Sequence, residues 1–328
     1  MAGTAYIDRR HAELRLDGSA IAVYADGARA GTVPLAPLGR LVLIGDLVVH
    51  TSVLGRLAEQ SVDVVFLSGK LQRCRGRVVG RLHRHARLRL RQYELSTASF
   101  AVEWARGLVR RKLGGQLALL EEAATERPAE KTTLTRAIIV IRAAAEKTAG
   151  ATSLDTLRGL EGGAAAAYFN ALTRLFPESL GFDGRTRRPP TDPVNALLSL
   201  AYTLVHYEWV RECELIGFDP LVGFYHQLDY GRESLACDLA EPWRPEVDRW
   251  VWSLFRLRLF TRRDFSSDAE RPGCYLKKTG RGRFYQAYEE WIAARRGAMR
   301  SEAEALARVI LDGEDALPVG EREALDQM

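Results

Sequence analysis

Residues 62–91 read VDVVFLSGKLQRCRGRVVGRLHRHARLRLR, and the fold turns on them. Val62–Leu67 is a short apolar run rich in β-branched residues, closed by Ser68-Gly69, which is the signature of a strand. Arg75–Val79 repeats it. Past Leu82 the apolar spacing lengthens to that of a helix and keeps that period almost to the end of the chain.

Upstream of this switch the chain reads as β. Strands are expected at Thr4–Ile7, Ala12–Leu16, Ile21–Tyr24, Ala30–Val33 and Leu41–Ile44. The pairs Asp17-Gly18 and Asp26-Gly27 are strong hairpin turns, because Gly and Asp tolerate the positive φ that tight turns require. One helix interrupts the strands at about Val49–Ala58, with Val49, Val53, Leu54 and Leu57 on one face. Downstream, helices are expected at about 83–112, 115–126, 131–147, 153–175, 193–216, 244–260, 283–297 and 301–311. A Gly-, Pro- and Arg-rich loop from Phe176 to Pro190 parts two long helices. The fold class is therefore α+β. A small N-terminal β-sandwich-like domain (1–82) precedes a larger all-α domain (83–315), with a tail at 316–328 expected to be disordered.

Bulk properties narrow the function. A chain of 328 residues is long enough for two domains with cores of their own. Apolar runs such as Ala137–Ile141 are broken by charge long before the roughly 18 residues of a membrane span. Met1–Arg10 has no apolar core and carries Asp8, Arg9 and Arg10, which predicts a cytoplasmic protein rather than a secreted one. Cys74, Cys213, Cys237 and Cys274 form no CxxC pair, so neither a disulfide framework nor a cysteine-built metal site is expected. Net charge is +5, and its distribution says more than its size. Nine Lys or Arg residues and no acid lie between Lys70 and Arg91. Further basic clusters are Arg106/Arg110/Arg111/Lys112, Arg185/Arg187/Arg188, Arg262/Arg263 and Lys277/Lys278/Arg281/Arg283. Several separate patches suit a long phosphate backbone better than one small anion.

Two segments carry the chemistry. In LRGLEGGAAAAYF (157–169), Glu161 sits on a helix of Gly and Ala, where small side chains leave room for a close approach. In GFDPLVGFYHQLDYGRESLACDLAEPWR (217–244), His226 follows an aromatic pair in a loop. Asp238 and Glu241 are three apart, on one face of a helix, although Pro242 disfavours helical geometry at Glu241. Carboxylates so close repel unless a cation lies between them. Carboxylates with one imidazole suit Mg²⁺ or Mn²⁺. A hard cation beside basic patches points to phosphodiester chemistry. No P-loop, no dinucleotide-binding GxGxxG and no GxSxG elbow is present. Taken alone, these residues lead to a metal-dependent nucleic-acid enzyme.

Three linked motifs go further. LEGGAAAAYF, RRPPTDPVNALLSLAYTLV, and GFDPLVGFYHQ followed by SLACDLAEPWRPEVD resemble, in order and spacing, the CRISPR-associated integrase, the Cas family numbered one. The resemblance implies a prokaryotic endonuclease and integrase of CRISPR adaptation. It implies a homodimer formed through the β domains, joined to a small ferredoxin-like partner, the Cas family numbered two. Such an assembly captures short double-stranded DNA, and each 3′-hydroxyl attacks a phosphodiester at the ends of a CRISPR repeat. On this resemblance Glu161, His226 and Glu241 are metal ligands, with Asp238 either a fourth ligand or a partner behind them. Asn195, Ser199 and Tyr202 order the site. Arg244 orients a carboxylate or meets DNA. Arg84, Arg87, Arg91, Arg187, Arg188, Lys277 and Lys278 follow the DNA backbone. Two rival readings stay open on sequence: a stand-alone structure-specific nuclease with water as nucleophile, and a non-catalytic DNA-binding assembly subunit.

Overall fold

The structure, a computed structural model, describes residues 3–69, 74–78, 85–186, 189–226, 229–268 and 271–312. Arg84, Arg187, Arg188, the expected boundary at 82/83 and the tail at 316–328 lie outside the described residues.

Eight strands open the chain: β1 (Gly3–Ile7), β2 (Glu13–Asp17), β3 (Ala20–Ala25), β4 (Ala28–Pro34), β5 (Leu38–Ile44), β6 (Val48–Val49), β7 (Asp63–Leu67) and β8 (Cys74–Val78). Helix α1 (Thr51–Glu59) lies between β6 and β7. Two four-stranded sheets result, ordered β1-β5-β7-β8 and β4-β3-β2-β6. The Asp-Gly turns join β2 to β3 and β3 to β4, with positive φ at Gly18, Asp26 and Gly27. In the first sheet β1, β5 and β7 run parallel and β8 antiparallel.

Strand β5 is buried along its whole length because each of its faces has its own core. Leu41 and Leu43 point inward with Leu14 and Ile21 of the second sheet, Val53 and Leu57 of α1 and Val64 of β7. Val42 and Ile44, with Val65 and Leu67 of β7, point the other way into the core of the helical domain. The period of two along a strand thus puts one sheet between two cores.

The polar residues on that outward face fasten the domains. Arg40 pairs with Asp63 at 3.0 Å and with Glu208 of the helical domain at 2.6 Å. Arg77 bridges Asp63 at 2.7 Å and Glu214 at 2.9 Å. Arg296 meets Glu208 at 3.0 Å and Glu289 at 2.9 Å, and Glu289 also accepts from Tyr6 Oη at 2.8 Å.

The helical domain comprises α2 (Ala86–Ser96), α3 (Ser99–Glu126), α4 (Lys131–Thr148), α5 (Leu154–Thr173), α6 (Pro193–Ile216), α7 (Ser234–Ala240), α8 (Arg244–Arg256), α9 (Lys278–Ala293) and α10 (Arg296–Asp312). Helix α6 has clear stops: Asp192 accepts from the Asn195 N–H as N-cap, Pro193 fills the first turn and Gly217 closes the end at φ 109°. Two expectations are corrected. The helix expected over 83–112 breaks at Thr97–Ala98, while α3 runs unbroken through Gly114-Gly115. The domain is also not purely helical. A hairpin of β9 (Phe265–Asp268) and β10 (Arg271–Leu276) interrupts it, tied to the loop before α6 by Cys274 N–H donating to Pro190 O at 2.7 Å. Among the described residues no helix is long and apolar enough to cross a membrane. All four cysteines are free thiols.

Candidate active site

Helices α5 and α7, the turn after α7 and the loop after α6 deliver the acid and imidazole groups to one place. Glu161 projects from α5 beside Gly162 and Gly163, above which a Cβ would meet nothing within 4 Å. The glycines therefore border open space and keep the carboxylate approachable. Glu241 enters from the turn after α7. Pro242 does not push it out of helical geometry: Glu241 keeps φ −58° and ψ −46°, and Glu241–Trp243 forms one tight 3-10 turn into α8. The missing proline N–H falls where the helix changes register, so no α-helical bond is lost there.

His226 is fixed by Asp238. The Asp238 carboxylate is fully buried and accepts from the backbone N–H groups of Phe224 (2.7 Å), Tyr225 (2.9 Å) and His226 (2.9 Å). His226 Nδ1 lies 2.6 Å from the same carboxylate. Such a bond sets the ring as Nδ1–H and leaves the Nε2 lone pair free for a ligand. Gly223 makes the arrangement possible, since a Cβ there would lie 2.6 Å from Asp238 Oδ2 and 2.8 Å from the Ser234 carbonyl carbon. Both Asp238 oxygens are thus committed to the loop, and the residue stands behind His226. His226 Nε2 is 3.9 Å from Glu241 Oε1.

At the meeting point of the two glutamates is a residue the sequence did not single out as part of the site. Lys112 of α3 is 7% exposed, and its ammonium contacts both Glu161 Oε1 and Glu241 Oε2. Its helix comes close because Gly115, one turn on, lies against Pro245; a Cβ at Gly115 would sit 3.0 Å from Pro245 Cγ. The other oxygen of each glutamate has a separate partner. Tyr225 Oη donates to Glu161 Oε2 at 2.5 Å, and Arg244 Nε lies 2.9 Å from Glu241 Oε1. Burial pushes the Glu241 carboxyl up, but Arg244 and Lys112 outweigh it and hold the group ionised well below the usual carboxylate range. Among the described residues no three His, Cys, Asp or Glu side chains are already closed around one metal position. Two carboxylates instead converge on one cation, the Lys112 ammonium, beside an imidazole. That donor set of hard oxygens and one ring nitrogen fits Mg²⁺ or Mn²⁺.

The expected supporting residues form a shelf beside this centre. The Tyr202 ring lies between two guanidiniums, Arg185 at 5.4 Å and Arg244 at 4.8 Å. Its hydroxyl donates to Asp248, which also accepts from Tyr168 at 2.8 Å. Burial lifts the Asp248 carboxyl to about 6 even though both tyrosines donate to it. Ser199 and Asn195 accept from Arg185 at 3.1 Å and 2.8 Å. Asn195 also accepts from Thr186 N–H at 2.9 Å and donates to Gly184 O at 2.8 Å, so it orders the loop carrying Arg185 and does not touch the acids. Arg185, Tyr225 and Asp248 were not picked out by sequence as site residues. Tyr202 and Arg244 also line an 860 Å³ cleft, with Ser199, His206, Cys237 and Cys274 among its walls. This cleft adjoins the acid centre and does not contain it.

The basic residues lie further out. Arg87 and Arg91 are four apart on α2, and Arg91 pairs with Glu94 at 2.6 Å. Lys277 and Lys278 are exposed at the start of α9, with Lys277 Nζ donating to Arg263 O at 2.9 Å.

The architecture is a two-sheet domain joined to a helical domain that holds an acid pair and a carboxylate-anchored histidine. The family model described as "CRISPR associated protein Cas1" matches residues 5–290. A curated relative from Thermodesulfovibrio yellowstonii, named CRISPR-associated endonuclease Cas1 1, is 45% identical over 315 residues, covering 96% of this chain and 99% of its own. The chain belongs to the Cas1 family of CRISPR-associated endonucleases. A solved Cas1 protein from Thermotoga maritima has the same fold, with a TM-score of 0.81 at 22% identity over 95% of this chain and 97% of that one. A casposase bound to integration product shares the fold as well, with a TM-score of 0.83 at 19% identity over 96% and 92%.

Proposed function

We propose that the chain is a metal-dependent DNA integrase: Glu161, Glu241 and His226 hold Mg²⁺ or Mn²⁺, and the 3′-hydroxyl of a short duplex attacks a phosphodiester of a CRISPR repeat. The observation that carries this reading is the convergence of two carboxylates, the half-buried Glu161 from α5 and the buried Glu241 from the turn after α7, on a single cation beside His226. When bound, the ion polarises a phosphoryl oxygen and favours the ionised form of the attacking hydroxyl. The chain's own residues do the positioning. The Tyr225 hydroxyl donates to one oxygen of Glu161 and the Arg244 guanidinium pairs by charge with one oxygen of Glu241, which leaves the other oxygen of each turned toward the same point. Asp238 holds His226 in one tautomer and one orientation.

For partners, the proposal is a homodimer through the two-sheet domain, double-stranded DNA, and the small ferredoxin-like Cas partner of the resemblance. Arg87, Arg91, Lys277, Lys278 and Arg244, with Arg84, Arg187 and Arg188, are proposed to meet the DNA backbone. Family membership supports both proposals.

Chelation tests the metal. EDTA is expected to stop strand transfer of a fluorescent duplex into a repeat-bearing plasmid, and excess Mg²⁺ or Mn²⁺ to restore it. Products that persist in chelator after exhaustive dialysis contradict the metal reading. Release of short fragments with no joined product favours hydrolysis by water as the native reaction.

A further inference from the structure

Each of the two glutamates uses its oxygens differently. Glu161 Oε2 is held by the Tyr225 hydroxyl and Glu241 Oε1 by Arg244, at 2.5 and 2.9 Å. Glu161 Oε1 and Glu241 Oε2 both face Lys112. Were the ammonium to withdraw, each carboxylate would keep one protein partner and so its orientation. Both would present one bare oxygen to the same point. A site arranged this way can exchange one cation for another without being rebuilt.

Charge balance favours the exchange. Glu161, Glu241 and Asp238 carry three negative charges against the two positive ones of Lys112 and Arg244, with His226 neutral, so the cluster stands at −1 without metal. Adding a divalent ion while Lys112 stays would turn the cluster to +1, and releasing Lys112 as the ion enters brings it to zero, in a site where Glu241 is 4% and Lys112 7% exposed. Uncompensated buried charge is costly. Arg244 is the less movable cation, with its guanidinium against the Tyr202 ring at 4.8 Å. Lys112 has a flexible four-carbon stem and an ammonium that can turn to other acceptors.

We propose that Lys112 is the site's own exchangeable cation: its ammonium holds Glu161 and Glu241 together in the unloaded protein and is displaced when a divalent metal takes the same two oxygens. The proposal rests on the reading of Glu161 and Glu241 as metal ligands. Lys112 thereby competes with the metal, lowering its affinity, and keeps the empty site from springing apart by carboxylate repulsion.

The test measures Mn²⁺ binding by the full chain without DNA, by calorimetry, in wild type, Lys112→Met, Lys112→Gln and Glu161→Gln, with thermal midpoints recorded with and without Mn²⁺. Expected is binding about tenfold tighter in Lys112→Met and Lys112→Gln than in wild type. The midpoint without metal should be lower in both, and the Mn²⁺-induced rise larger than in wild type. Affinity in both Lys112 variants equal to or weaker than wild type, with Glu161→Gln binding abolished, overturns the proposal and leaves the metal reading standing. Glu161→Gln binding as tightly as wild type overturns the metal reading itself. A second readout uses the wild-type chain alone and does not depend on a variant folding. Reductive methylation followed by mass spectrometry should label Lys112 faster with Mn²⁺ than without, because the ammonium has been released. Labelling that Mn²⁺ leaves unchanged or slows overturns the displacement.

Discussion

Glu241→Gln is expected to lower strand transfer by at least about 10²-fold while the chain stays folded. The substitution keeps the size of the side chain, removes its charge and turns one acceptor oxygen into an NH2 donor that faces Lys112 or Arg244. In the proposed site that charge is half of the carboxylate pair that binds the ion. Arg244 and Lys112 lose an ionic partner, so a stability cost accompanies the change; breaking a buried pair costs up to about 3–5 kcal/mol. The cost here falls below that limit, because Lys112 keeps Glu161 and the Arg244 guanidinium keeps the Tyr202 ring. The two effects separate in one experiment. Circular dichroism and a thermal midpoint report the fold, and a gel assay of joined product reports the chemistry. Wild-type strand transfer in Glu241→Gln, with metal still required, removes Glu241 from the site.

Asp238→Ala is expected to be the most disruptive single change near the centre, and for a different reason. Its carboxylate accepts three backbone N–H groups and one ring N–H while fully buried. Alanine leaves those donors without a partner in the interior, at about 1–3 kcal/mol for each group that stays unsatisfied. Partial relaxation of the loop limits the sum to roughly 3–5 kcal/mol. For a chain of this size that lowers the thermal midpoint by about 10 °C. His226 loses its orienting partner as well, so metal affinity falls by about 10–100-fold. Asp238→Ala therefore loses stability and metal binding together, whereas Glu241→Gln loses chemistry with the fold kept. An unchanged midpoint in Asp238→Ala would mean that the loop from Phe224 to His226 is held by something else.

The contrast between these two acids shows what a sequence can and cannot convey. Asp238 and Glu241 look alike in the string CDLAE, three apart, both candidates for one face. Their difference is tertiary. Asp238 meets the loop after α6, which returns across α7 because Gly223 lets the backbone pass, while Glu241 meets Lys112 of α3. Lys112 is hidden for the same reason. In Arg110-Arg111-Lys112 the three residues read as one basic patch. Arg110 and Arg111 are exposed, and Arg111 pairs with Glu302, while the rotation of the helix turns Lys112 inward. Nothing in the local string marks the odd one out.

Fold features with local causes were legible. The ends of α6 follow from Asp192, Pro193 and Gly217, and the first hairpins from Asp-Gly pairs. Features with distant causes were not. Gly114-Gly115 looks like a helix stop, yet α3 continues because Gly115 packs against Pro245. The hairpin β9–β10 is four and six residues long and lies between strong helical patterns, and its partner, the Pro190 carbonyl, is far off in sequence.

The central claim is that this acid–imidazole centre joins a DNA 3′-hydroxyl to a phosphodiester. Its most direct test supplies the purified chain, with its small partner and Mg²⁺, with a supercoiled repeat-bearing plasmid and two duplexes that differ only at the 3′ end, hydroxyl or dideoxy. The expected result is covalent half-site product from the hydroxyl-ended duplex alone, absent with Glu241→Gln. Equal plasmid cleavage with both duplexes and no joined strand would contradict it, and would make water the nucleophile.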